Sequence, residues 1–267
     1  MTPVALSIAG SDCSSGAGLQ ADLKTFQHFQ CYGLNAVTCV VAETPDIVQS
    51  FHPVPPAILQ DQLMLMLESY PVAAIKTGML YSKAHVVAIS ELLASHPDIP
   101  LVVDPVMVAS TGDPLLRKDA IQAYRGRLLP LATLITPNLD EAEVLVGRPI
   151  RDENAIEQAA VELAEHFRTS ILLKGGHLDS TDCADLLCEK GELKWFRSPR
   201  IDTPASHGTG CTLSAAITAR LAQGDDLATA TEQAKSYLNQ TLNEALTLGK
   251  ISHLNQGTTL KQTPASS

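Results

Sequence analysis

Apolar residues fall in short runs along the chain, and the stretches between them carry apolar positions three and four apart. The runs over 4–9, 36–42, 73–76, 101–104, 133–136 and 170–174 are rich in β-branched residues. Runs this short and this apolar predict buried strands. The stretches over 19–29, 57–68, 82–94, 120–129, 141–146 and 155–167 predict helices. Continuous apolar strands alternating with helices describe a mostly parallel sheet covered on both faces. Right-handed crossovers then give a doubly wound, three-layer α/β/α domain. Over 184–198 the pattern changes to a hairpin turning at Lys190 and Gly191, so the far edge of the sheet is expected to be antiparallel. Helices over 211–222 and 227–246 follow. No linker, repeat or low-complexity block divides the chain, which predicts one domain over 1–256 and a polar, disordered tail over 257–267.

Composition narrows the class. Of 267 residues, 45% are hydrophobic and 18% charged, a balance that supports a sizeable core. The net charge of −10, with no cluster of Lys and Arg, argues against a nucleic-acid or anionic-membrane partner. A small anionic substrate stays open, because a few backbone N–H groups and one lysine suffice to hold a phosphate. Neither a basic leader nor an apolar run of ~20 residues appears, so no secretory or membrane-spanning segment is expected. Cys13, Cys31, Cys39, Cys183, Cys188 and Cys211 form no CxxC pair and no zinc-ligand spacing. They read as reduced thiols of a cytoplasmic protein.

The polar residues collect where such a sheet binds ligands, at the carboxyl ends of its strands. Strand one runs into a loop with Gly10, Asp12, Gly16 and Gly18, and strand two ends at Glu43, Thr44 and Pro45. The next ends carry Lys76, Gly78 and Met79, then Asp104 and Met107, then Asn138 and Glu141, then Lys174 with Gly175, Gly176 and His177. Turns alone explain the Gly and Pro, but not Asp104, Glu141 and Lys174 together.

Neither GxGxxG nor GxxxxGK[ST] occurs, so the dinucleotide fingerprint and the P-loop are both missing. His207, Gly208, Thr209, Gly210 and Cys211 instead precede the apolar helix that begins near Leu213. Two glycines there let successive N–H groups converge ahead of a helix N-terminus, an anion hole suited to a phosphoryl group in flight. An ordinary N-cap by Thr209 is the plainer alternative. At the helix start the dipole is expected to lower the Cys211 thiol, making it a candidate general base; a small packing residue is the alternative.

Together these segments resemble the ribokinase-like superfamily and, within it, the hydroxymethylpyrimidine/phosphomethylpyrimidine kinases of thiamin synthesis. The matching stretches are 5–12, 16–26, 76–79, 103–107, 135–141, 173–177 and 207–216, in register over roughly 4–245. The resemblance implies two ATP-dependent transfers, first to the hydroxymethyl group of 4-amino-5-hydroxymethyl-2-methylpyrimidine and then to the monophosphate so formed. It implies that Gly10, Asp22, Glu43, Met79 and Val106 line the pyrimidine pocket. Asn138 and Glu141 resemble an Asn-x-x-Glu element that organises Mg²⁺ through water. Lys174 is then expected near the nucleotide phosphates, Gly208, Thr209, Gly210 and Cys211 at the anion hole, and Asp104 either in the phosphate region or as a strand-end cap. A homodimer built away from the nucleotide edge is also implied.

Three places depart from the family pattern. Position 43 is Glu where these kinases usually carry Gln, and an ionised Glu only accepts hydrogen bonds. Cys13 and Ser15 replace the usual residues of the first loop, and the stretch from Lys250 through His253 to Gln256 replaces a Gly-Pro-x-x-His ending. These departures keep a pyridoxal or pyridoxine kinase in play. An oxidoreductase binding NAD and a silent nucleotide-binding protein are the rivals from other classes.

Overall fold

The computed structural model describes residues 2–107, 118–175 and 182–257. Gly176, His177 and positions 258–267, which the sequence places in a glycine turn and in the polar tail, lie outside the described residues. Nine of the described strands form one sheet: β1 (Val4–Asp12), β2 (Tyr32–Thr44), β3 (Ile47–Pro53), β4 (Ala74–Thr77), β5 (Leu101–Val103), β6 (Leu134–Ile135), β7 (Ser170–Lys174), β8 (Asp182–Glu189) and β9 (Glu192–Pro199). They lie in the order β3-β2-β1-β4-β5-β6-β7-β8-β9. The six from β2 to β7 are parallel, as their continuous apolar character requires. The hairpin β8–β9 closes the far edge antiparallel, as expected from the turn at Lys190 and Gly191.

Alternation along the strands separates two cores. Val4, Leu6 and Ile8 face one side, packing with Leu59 and Leu63 of α2 (Pro56–Ser69), Val86 and Ile89 of α3 (Lys83–Leu93), and Ile156 and Leu163 of α6 (Glu153–Phe167). On the other side, Ala5 meets Phe26 of α1 (Gly18–His28) and Ala215 of α7 (Thr209–Ala222). Val102, Leu134 and Leu172 pack there against Leu213 and Ile217 of α7 and Ala230 of α8 (Leu227–Asn243). Residues 212–219 of α7 are all buried, so this helix shows no polar face. Its small residues let it lie close to the sheet and carry its N-terminus to the strand ends.

The structure departs from the sequence pattern in three places. β3 adds an antiparallel near edge beside β2. Its residues are exposed or half-buried on both faces, so no alternation announces it. The helix expected over 120–129 is an α-helix, α4 (Lys118–Ala123), only as far as Ala123. A wider π turn over Tyr124–Leu128 and a 3₁₀ turn over Leu129–Leu131 follow, where Pro130 offers no N–H to a helix. The last helix stops at Asn243 rather than 246. Leu246 instead starts a small hairpin, β10 (Leu246–Leu248) with β11 (Ile251–His253).

Candidate active site

Strands β1, β4, β5, β6 and β7 finish on one edge, and the chain just beyond them opens into a cavity of about 690 Å³. Gly10, Glu43, Met79, Asp104, Val106, Asn138, Glu141, Lys174, Gly208, Thr209, Gly210 and Cys211 all line it. Asp22 is the exception among the predicted residues. Its carboxylate is fully buried behind the cavity wall, 2.9 Å from Lys76 Nζ and hydrogen-bonded by Ser7. The alternation of β1 explains this: Ser7 faces α1, where Asp22 lies, rather than the open strand end.

The turn ahead of α7 has the geometry an anion hole requires. Gly208 caps the helix in the left-handed region with φ of 85°, so the plainer N-cap by Thr209 does not occur. A Cβ at Gly208 would also stand 2.0 Å from Gly16 O, so only glycine lets the turn close on the first loop. The Gly208 carbonyl accepts from both Thr212 N and Thr212 Oγ1 at 2.8 Å. Among the described residues, the N–H groups of Gly210 and Cys211 meet no backbone acceptor. Both residues line the cavity at a helix N-terminus, where backbone dipoles favour negative charge.

Charged side chains surround this turn. Lys174 Nζ lies 2.9 Å from Asp104 Oδ1. Thr136 Oγ1 and Ser214 Oγ donate to the same carboxylate at 3.2 Å. Asp104 therefore caps the strand end structurally and also holds the lysine of the cavity. A Cβ built on Gly210 would reach within 3.2 Å of Lys174 Nζ, which measures how closely the turn overlies the pair. Burial alone would push Asp104 up, but Lys174 and Lys76 outweigh it and hold the carboxyl below its ordinary range. The same pairing keeps Lys174 charged: burial pulls its ammonium down, and Asp104 and Glu141 raise it further.

Asn138 and Glu141 form a capping box at the start of α5 (Leu139–Val146). Asn138 Oδ1 accepts from Glu141 N at 2.8 Å, and Glu141 Oε2 accepts from Asn138 N at 2.9 Å. The Asn-x-x-Glu spacing thus has a local structural cause beside any role toward a metal. Burial and the nearby Asp104 push Glu141 up to about 7, against the pull of Lys174. Among the described residues no three His, Cys, Asp or Glu side chains converge in metal-ligating geometry.

Cys211 corrects the sequence expectation. Its residue surface is only partly exposed, and burial pushes the thiol up to about 11. Lys76 pulls it down, as does a hydrogen bond from Gly18 N–H, but neither offsets the loss of water. The helix N-terminus therefore does not supply a resting thiolate at neutral pH.

Several residues at the site carried no role in the sequence. Asp12 accepts from Ser14 N at 2.7 Å, Ala17 N at 2.8 Å and His207 Nε2 at 3.1 Å. Burial pushes Asp12 up, but these hydrogen bonds, His207 first, hold it down at about 2. The pair spans 195 positions and ties the first loop to the anion turn. Val48 and Phe51 of the unforeseen β3 line the cavity beside β2. Lys235 and Asp185, 2.6 Å apart and buried, lie at its other end. The Asp12 and His207 motifs were visible as residues, but nothing local in sequence pairs them.

Comparison with known proteins agrees with this geometry. The family model described as phosphomethylpyrimidine kinase matches residues 12–255. A hydroxymethylpyrimidine/phosphomethylpyrimidine kinase of Haemophilus influenzae is 42% identical over 249 residues, 92% of this chain and 93% of its own. The solved phosphomethylpyrimidine kinase of Clostridium difficile superimposes with a TM-score of 0.81 at 35% identity, over 90% of this chain and 99% of its own. An ADP complex of Bacillus subtilis pyridoxal kinase superimposes with a TM-score of 0.88, also at 35% identity, over 95% and 97% of the two chains.

Proposed function

The chain belongs to the phosphomethylpyrimidine kinase family, and from that premise we propose that it moves the γ-phosphoryl group of ATP onto 4-amino-5-hydroxymethyl-2-methylpyrimidine and then onto the resulting monophosphate, in thiamine biosynthesis. The observation that carries this reading is the anion turn of Gly208, Gly210 and Cys211 lying over the Lys174–Asp104 pair, in one cavity with Gly10, Glu43, Met79 and Val106.

In this reading the backbone donors of the turn and Lys174 stabilise charge on the phosphoryl group as it passes between oxygens. The apolar walls from Val48, Met79 and Val106 receive the aromatic ring. A Cβ at Gly10 would stand 3.0 Å from the buried Cys39 Sγ, so glycine there lets the end of β1 pack closely on β2 beside the cavity. In the first transfer the hydroxymethyl oxygen forms the new O–P bond and the leaving group is ADP. Its proton passes to Cys211, in the minor thiolate form favoured by Lys76 and the Gly18 N–H. In the second transfer the attacking oxygen is already anionic, so positioning and charge screening suffice.

ATP use follows from the family and from the ADP seen in the Bacillus subtilis relative. Mg²⁺ fits here as a hydrated ion. Glu141 lines the cavity with Oε2 accepting from Asn138 N and Oε1 from Met107 N, and a carboxylate already engaged in this way suits contact with the ion through water. When bound, such an ion neutralises the phosphate oxygens of the nucleotide. No described helix is long and apolar enough to cross a membrane. We place the enzyme in the cytoplasm, acting on small molecules without nucleic-acid or membrane partners. We further propose a homodimer; the exposed apolar residues Tyr32, Val40, Ile47, Ile58 and Leu65 of β2, β3 and α2 support it.

One residue favours a second reading. Glu43 lines the ring end, and burial together with Asp12 raises its carboxyl, so at that point the site favours a proton-sharing partner. A pyridoxal-type ring would meet the same requirement. Coupled ADP release with Mg-ATP against the pyrimidine alcohol, its monophosphate, pyridoxal and pyridoxine tests both. Turnover of the two pyrimidines is expected; pyridoxal turnover with neither pyrimidine would replace the substrate, and no turnover with any acceptor would end the kinase reading.

A further inference from the structure

The residues after β11 return to the site. Leu254, Asn255 and Gln256 are all buried, although they follow a hairpin whose turn is exposed, close to the end of the described chain. Gln256 Nε2 donates to Gly16 O and to Thr212 Oγ1, both at 3.0 Å. Its backbone carbonyl accepts from Tyr237 Oη at 2.9 Å, which anchors the segment on α8. One amide therefore joins the first loop to the first turn of α7, elements nearly 200 positions apart in the chain.

The orientation of that amide is fixed by chemistry. Gly16 O only accepts, so the nitrogen must face it. Gln256 Oε1 is consequently left buried without a hydrogen-bond partner. Leaving that acceptor unpaired is unfavourable, so the two donor contacts of the nitrogen are what set the amide in place. The two acceptors are also special. Gly16 O is the atom against which Gly208 closes, and Thr212 Oγ1 donates onward to the Gly208 carbonyl. The chain of donation Gln256 to Thr212 to Gly208 sets the peptide plane that begins the anion turn. His253 of β11 also stands beside Gly16, with Nδ1 3.2 Å from where a Cβ of that residue would lie.

We propose that Gln256 is a positioning residue for phosphoryl transfer: as a double donor it holds the first loop against the anion turn, so that the backbone donors of Gly210 and Cys211 keep one geometry. It touches neither acceptor nor nucleotide and acts through Gly16 and Thr212. The inference rests on the phosphoryl-transfer reading of the turn. It extends that reading to a segment whose sequence, Asn255 and Gln256 after His253 and Leu254, departs from the family ending.

The test compares full-length wild type, Gln256→Ala and Gln256→Glu in single-turnover assays, with the folded fraction of each measured by circular dichroism and thermal melting. Wild-type transfer is established first, so a silent wild type marks failure of the kinase reading rather than of this one. With an active wild type, Gln256→Ala is expected to lower kcat per folded molecule on the order of 10- to 100-fold for both transfers, with KM for the acceptor changed less than about threefold. Gln256→Glu distinguishes positioning from packing because it keeps the shape. As a carboxylate it repels Gly16 O; as a carboxylic acid it donates one hydrogen bond. Its rate relative to wild type should therefore climb as the pH is lowered from 8 to 5.5. Wild-type kcat in both folded variants would overturn the proposal. So would a pH-independent ratio for Gln256→Glu, or a loss explained wholly by a smaller folded fraction.

Discussion

The two ends of the cavity are built differently. At the phosphoryl end, charge is held by backbone and by buried pairs: the turn at Gly208, Lys174 with Asp104, and the Asn138–Glu141 capping box. The side chains there are paired within the protein, while the N–H groups of Gly210 and Cys211 meet no backbone acceptor among the described residues. At the proposed ring end the walls include Val48, Phe51, Met79 and Val106, and the polar side chains are the half-buried Glu43 with Thr44 and the nearby Asp12. A preorganised charged end suits a step common to many acceptors, whereas a sparse apolar end lets one side chain choose among rings. Close structural likeness to both a phosphomethylpyrimidine kinase and a pyridoxal kinase fits that division.

The division breaks most severely at Lys174. Lys174→Met leaves Asp104 without its ion pair and removes the cation nearest the anion turn. Single-turnover rates for every acceptor should fall about 10²- to 10³-fold. A loss confined to one acceptor would put Lys174 in the specificity half instead.

Cys211 belongs to the turn at the phosphoryl end but is proposed to act on the acceptor hydroxyl. Cys211→Ala should slow the first transfer about 10- to 100-fold and the second less than about threefold. The sign of its pH dependence follows from a thiol pushed up to about 11: the thiolate, and with it the first transfer, grows as pH rises from 6 to 9. The second transfer, measured in the same way, should lack that slope, and Cys211→Ala should remove it from the first. Equal losses in both steps would leave Cys211 as a packing residue.

Glu43→Gln sharpens the ring end. An amide both donates and accepts, so KM should shift about tenfold between pyrimidine and pyridoxal acceptors while kcat changes little. A uniform loss of kcat over all acceptors would contradict the separation.

The smallest effect concerns the loop that joins the ends. Asp12 is held down at about 2 against an ordinary value near 3.9. A depressed carboxyl contributes stability that is present above the unfolded value and lost as pH falls through the folded one. Between pH 4 and pH 2 the wild type should lose about 1–2 kcal/mol that Asp12→Asn does not, read from urea melts.

The sequence exposed the charged end better than the ring end, for a physical reason. Strand-end residues such as Asp104, Asn138 and Lys174 follow apolar runs directly, and the glycine turn announces itself before a small-residue helix. Placement of Asp22 required the alternation of β1 to be followed one residue further, to its pairing with Ser7 and Lys76. β3 escaped because exposure on both faces leaves no hydrophobic period. The contacts of Gln256 reach back 240 and 44 positions, and no local pattern encodes them. The Cys211 thiol moved opposite to expectation because the dipole of one helix end is weaker than the desolvation around it.

The most direct measurement follows γ-labelled ATP and the pyrimidine alcohol through a single incubation with the wild-type enzyme and Mg²⁺, separating products by anion-exchange chromatography. If one charged end serves both transfers, labelled monophosphate appears first and labelled diphosphate accumulates from it, and Lys174→Met slows both phases together. Label that stops at the monophosphate, or that enters pyridoxal and neither pyrimidine, would contradict it.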